Sequence, residues 1–99
     1  MRFDTFQARA LRAIAHPLRS DIIIALAQAP KRFSRIMEFC GLDPGHDTGP
    51  FFHHLSSLME SEIVQRQDED YSLTGFGSRI AELLGAIRRE AEYQSRKTG

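Results

Sequence analysis

Apolar residues recur along this chain at changing intervals, and the changes divide it into short elements. Phe3, Phe6, Ala10, Ala13 and Ile14 fall on one side of a helix. Asp4 opens that helix as a cap, with Gln7 three residues on as its capping-box partner. His16-Pro17 ends it, and Pro17 suits the first turn of the next. "LRSDIIIALAQA" is apolar nearly all round, the pattern of a helix at the centre of a small domain, and Pro30 stops it. A shorter helix is expected over about Ser34 to Cys40, with Ile36, Phe39 and Cys40 inward and Gly41 as its stop. After the turn-rich "LDPGHDTG", a further helix begins near Pro50. On a helical wheel Leu55 and Leu58 fall beside Phe51, while His53, Ser56, Ser57 and Glu60 point the opposite way. "EIVQRQ" and "YSLT" flank Asp68-Glu69-Asp70 and read as a β-hairpin. A last helix follows Thr74, with Phe76, Ile80, Leu83, Leu84, Ile87 and Ala91 on one stripe. The pattern predicts a mainly α fold with a small β-hairpin: one winged helix-turn-helix domain over 1–99, with 1–15 and 76–97 as long flanking terminal helices.

Ninety-nine residues enclose only a modest core, so the terminal helices have apolar faces to spare. Phe3, Phe6, Ala10, Ile80, Leu84, Ile87 and Ala91 are accordingly the expected two-fold homodimer interface. The single cysteine, Cys40, excludes an internal disulfide framework. No apolar run approaches the ~20 residues of a membrane span, and "MRFDTF" lacks the apolar core of a signal peptide, so a cytoplasmic protein without membrane contact is expected. The net charge is zero, but it is unevenly divided. Residues 1–40 hold seven basic groups against three acids, residues 41–74 hold Arg66 alone against seven acids, and residues 75–99 hold five basic groups against three acids.

"LRAIAHPLR", then "FFHHLSSLMESEIV", then "YSLT" resemble the ArsR-like winged-helix transcriptional regulators over roughly residues 8 to 84. Members of that family end their first helix in Ala-His-Pro-x-Arg, matched here by Ala15, His16, Pro17 and Arg19. Their recognition helix often reads Ser-His-His-Leu-Lys-x-Leu, matched here by His53, His54, Leu55 and Leu58. The resemblance implies a homodimer that binds double-stranded DNA. There are departures: Phe52 replaces the serine, Ser56 the lysine and Glu62 the closing glycine, and the turn before the recognition helix is longer than the usual 3–4 residues. The cysteine pairs of the family's metal-sensing members are absent.

A recognition helix meets base edges with its N-terminal part. His53, Ser56 and Ser57 carry hydrogen-bonding groups on the outward face, and Phe52 on its flank suits a thymine methyl. Phosphate contact falls to Lys31, Arg32, Arg35 and Arg66, because residues 49–60 contain no Arg or Lys. The acidic hairpin tip repels a duplex. It therefore supports an alternative: a winged-helix module with little DNA affinity that binds a protein partner. No metal or other cofactor is expected. Adjacent His53 and His54 point roughly 100° apart on a helix, and Cys40, His46 and Asp47 complete no recognised ligand spacing. His54 flanks the apolar stripe and reads as a partly buried, hydrogen-bonded histidine. Cys40 reads as a small core hydrophobe. With no nucleophile–base–orienter set or phosphate loop, the chain does not read as an enzyme.

Overall fold

The computed structural model describes residues 8, 11, 12 and 14–98. The Asp4 cap and Phe3, Phe6, Ala10 and Ala13 of the first expected helix lie outside them; residues 8, 11, 12, 14 and 15 are helical. In chain order there follow α1 (Pro17–Gln28), β1 (Lys31–Arg32), α2 (Phe33–Phe39), α3 (Thr48–Glu60), β2 (Val64–Gln67), β3 (Asp70–Leu73) and α4 (Gly75–Thr98). This is a winged helix-turn-helix: α2 and α3 form the helix-turn-helix, and the strands form the wing.

α1 is the central element. Its N-cap is His16, whose Nδ1 accepts from the Leu18 N–H at 3.2 Å, and Pro17 occupies the first turn, where a missing N–H costs nothing. Ile22, Ile23, Ala25 and Leu26 are buried against Ile36, Phe51, Leu55, Leu58, Ile63, Val64, Ile80 and Leu84. Lys31 closes the other end: its ammonium donates to the Ala25 carbonyl at 2.6 Å, one of the last four carbonyls that the helix itself leaves unpaired.

In α2 the inward set is Phe33, Ile36, Met37 and Cys40, which corrects the expectation for Phe39: it is 42% exposed, and Met37 takes the core position. The helix starts at Phe33, whose ring meets Phe51 edge-on at 4.8 Å and sets the rotation of this short element. Gly41, at φ +69°, ends it. Its N–H donates to the Glu38 carbonyl, and the Leu42 N–H donates to the Met37 carbonyl, a Schellman closure. The loop 40–47 is held by reciprocal bonds: Asp47 N–H to the Asp43 carbonyl at 2.8 Å, and Asp43 N–H to Asp47 Oδ2 at 2.8 Å.

α3 begins at Thr48, two residues before Pro50, which is tolerated because the first turn needs no N–H partner. Its end repeats the closure of α2 with a different residue. Glu62 adopts φ +62°, its N–H donates to the Met59 carbonyl, and the Ile63 N–H donates to the Leu58 carbonyl.

The sheet has three strands, in the order β1-β3-β2, where the sequence had suggested a two-stranded hairpin. β2 and β3 pair antiparallel from Val64↔Leu73 to Gln67↔Asp70, and β1 adds Lys31↔Tyr71 and Arg32↔Asp70 on the other edge of β3. Thr74 joins the wing to α4. Its hydroxyl donates to the Glu62 carbonyl at 2.6 Å and accepts from the Gly77 N–H at 2.9 Å, capping the helix. Gly77 lies so close to the Ile63 carbonyl oxygen that a Cβ there would collide with it. Among the described residues no helix is long and apolar enough to cross a membrane.

Candidate nucleic-acid interface

The burial of Phe51, Leu55 and Leu58 fixes the rotation of α3 and so decides what faces out. Phe52 and His53 are exposed on its first two turns, whereas Ser56 and Ser57 are half-buried one turn further on. The Phe52 ring lies 6.4 Å from that of Phe33, on the flank of the helix beside α2. The outward row therefore presents one aromatic ring, one imidazole and two hydroxyls.

His54 faces α1, where the Arg19 Nε–H donates to its Nδ1 at 2.9 Å. That bond requires an unprotonated Nδ1 and assigns the hydrogen of the neutral ring to Nε2. The His16 ring is 4.1 Å away and the His53 ring 5.6 Å. Burial, followed by the nearby His16, Arg19 and His53, holds His54 below its ordinary 6.5, so it stays neutral where a solvated histidine has begun to charge. Arg19 appears in the sequence within "AHPLR", but its pairing with His54, 35 residues on, is visible only in the fold.

The four cations named for phosphate contact all have intramolecular partners. Lys31 caps α1 and lies 5.6 Å from the Phe39 ring centre. Arg32 pairs with Glu69 at the hairpin tip at 3.2 Å, and Arg35 pairs with Glu38 at 3.2 Å. Arg66 donates from Nε to the Asp68 carbonyl at 3.0 Å and lies over the Tyr71 ring at 5.4 Å. The Arg32 and Arg35 pairs are exposed, and such pairs contribute only about 0–1 kcal/mol, so exchange for another anion is cheap. Lys31 is committed more firmly, because leaving would reopen the end of α1.

The residues named for dimerisation divide. Ile80 and Leu84, each 6% exposed, belong to the protomer's own core, whereas Leu83 and Ile87 are 52% and 49% exposed. Ala91 continues their row, exposed, on the part of α4 that passes beyond the core. Arg88 pairs with Asp21 at 2.9 Å and ties α4 to α1 just before that point. Among the described residues no group of three His, Cys, Asp or Glu side chains is arranged to hold a metal ion. Burial, with the Asp21 carboxylate adding to it, pushes the Cys40 thiol up to about 11, so a thiolate is scarce at neutral pH.

A family described as "Domain of unknown function (DUF7347)" matches residues 7–84. No curated protein matches the chain by sequence. Among solved structures, quinone-bound YodB from B. subtilis is similar at a TM-score of 0.75 and 26% identity, over 87% of this chain and 94% of that one. The transcriptional repressor BigR from Xylella fastidiosa gives 0.65 and 24%, over 81% and 80%. The homodimeric winged helix-turn-helix DNA-binding domain of Mb0332 from Mycobacterium bovis, a possible ArsR-family transcriptional regulator, gives 0.69 and 20%, over 93% and 83%.

Proposed function

The chain belongs to the DUF7347 family, and because that description carries no activity we propose from the architecture that it is a DNA-binding transcriptional regulator of the ArsR-like kind, acting as a homodimer. The observation that carries this reading is the orientation of α3. Its buried row is spent on the core, and Phe52 and His53 stand outward at the end of the helix that enters a major groove in such folds. His53 can donate to or accept from a base edge, Phe52 can meet a thymine methyl, and Ser56 and Ser57 follow one turn behind. Arg32, Arg35 and Arg66 serve phosphate contact by exchanging their present partners. Lys31 contributes charge while remaining on α1. Leu83, Ile87 and Ala91 form the exposed row on which two protomers meet; the similar Mb0332 domain is described as a homodimer.

A second reading is supported by one feature of the wing. Its tip carries Asp68, Glu69 and Asp70 against Arg32, which pairs with Glu69, and Arg66, whose Nε donates to the Asp68 carbonyl, so the acids outnumber the cations there. A surface of that kind suits a basic protein partner better than a phosphate backbone. Titration of the protein against random duplex DNA at two salt concentrations separates the readings. A regulator that grips phosphates loses affinity steeply with salt, with a logarithmic slope of about −0.9 per phosphate neutralised. Absence of binding at low salt would transfer the case to the protein-binding module.

A further inference from the structure

Arg12, Arg19, Ser57, Glu60 and Ser61 line a groove of about 530 Å3 between the N-terminal end of α1 and the C-terminal half of α3. We propose that this groove is a phosphodiester-binding site that holds one strand of the duplex backbone beside α3. The inference rests on the DNA-binding reading and adds to it a site on a different part of the surface from the wing.

Three observations support it. The first is the donor set. Among the described residues Arg12 has no hydrogen bond or ion pair, and Arg19 engages only its Nε with His54, so its two terminal nitrogens remain for a ligand. Two guanidiniums with the hydroxyls of Ser57 and Ser61 give the groove donors of the kind that bind phosphate oxygens. The carboxylate of Glu60 leaves the groove one positive charge in excess, which suits the single negative charge of a phosphodiester.

The second is position. His53, Ser57 and Ser61 are four residues apart, so they follow one another along one side of α3 and past its end. At 1.5 Å per residue, Ser61 lies about 12 Å along the axis from His53. A helix that meets base edges with its N-terminal part carries its far end back from the groove floor, so Ser61 lies towards the phosphates at the rim. The third is preorganisation. Arg19 is held by the same bond that fixes the His54 tautomer, so its planar head is presented without further ordering.

The test is duplex titration over a range of salt concentrations with wild-type protein, Arg12→Gln with Arg19→Gln, Arg12→Lys with Arg19→Lys, and Glu60→Gln. The glutamine pair is expected to bind at least tenfold more weakly at low salt and to flatten the logarithmic salt slope by about 1.8, two contacts at about 0.9 each. The lysine pair should keep most of the slope, and Glu60→Gln should tighten binding. If the glutamine pair melts too low to assay, Arg12→Gln alone, at an exposed position with no bond among the described residues, should flatten the slope by about 0.9. Duplex binding by wild type with an unchanged slope in the glutamine variants would overturn the groove and leave the DNA-binding reading standing. No duplex binding by wild type at low salt would overturn both.

Discussion

Two helices of this chain end in the same backbone motif, one closed by glycine and the other by glutamate. Gly41 at φ +69° closes α2, and Glu62 at φ +62° closes α3, with the same pair of carbonyl bonds in each. A residue with a Cβ in this left-handed region costs roughly 1–2 kcal/mol. Replacing Glu62 by glycine removes that strain and costs about 0.5–1 kcal/mol through the greater freedom of glycine in the unfolded chain. The Glu62 side chain is exposed, and it is its backbone carbonyl, retained by glycine, that accepts from Thr74. The net expectation for Glu62→Gly is a gain of about 0.5–1 kcal/mol, or a rise in Tm of about 2–8 °C for a domain of this size. Gly41→Glu is the mirror experiment: a Cβ there meets open space, so the conformation alone predicts a loss of similar size. Thermal unfolding followed by circular dichroism, at one protein concentration and with Glu62→Gln as the charge control, provides the measurement. A Tm for Glu62→Gly equal to or below that of Glu62→Gln would refute the assignment of strain to this position.

Gly77→Ala should destabilise by more than about 2 kcal/mol, because the obstacle is the Ile63 backbone carbonyl and not a movable side chain; urea unfolding checks it. For His54, a folded-state pKa lowered from 6.5 means that the unfolded chain takes up the proton first, so stability holds above about pH 6.5 and falls as the pH drops below it. Tm measured between pH 7.5 and 5 should show that decline, and His54→Gln should flatten it. Ile87→Glu, at a half-exposed position on α4, should give folded monomers in sedimentation; a wild-type protein already monomeric at high micromolar concentration would remove the dimer proposal. Changing Asp68 and Asp70 to asparagine and Glu69 to glutamine should tighten duplex binding at low salt, both by removing repulsion and by releasing Arg32 from Glu69. An unchanged affinity would place the wing away from the duplex.

The parts of this fold that were legible in the sequence are those written in local chemistry. Pro17 and Pro30 bracket α1, Gly41 marks the end of α2, and the spacing of Phe51, Leu55 and Leu58 defines the inward face of α3. Phe39 was misplaced because seven residues give too few turns to define a phase, and the residue that sets it, Phe33, is anchored by Phe51 on another helix. β1 carried no signal: two residues, Lys31 and Arg32, show no alternation, and their pairing depends on where the hairpin lies. The candidate interface was legible in its outward residues, Phe52 and His53, but not in its electrostatics. Arg32 meets Glu69 only after β1 has joined the sheet, and Arg19 meets His54 only after α1 and α3 have packed.

The short strand β1 has a mechanical consequence. Arg32, its last residue, is also the N-cap of α2, and it pairs with Asp70 at the base of the hairpin turn. The hairpin is thus fastened, through one residue, to the start of the helix-turn-helix. A force that lifts the tip must either peel Lys31 and Arg32 from β3 or rotate α2 with it. The base of the wing and the start of α2 therefore share one short stretch of backbone, and the position of one constrains the position of the other at Arg32.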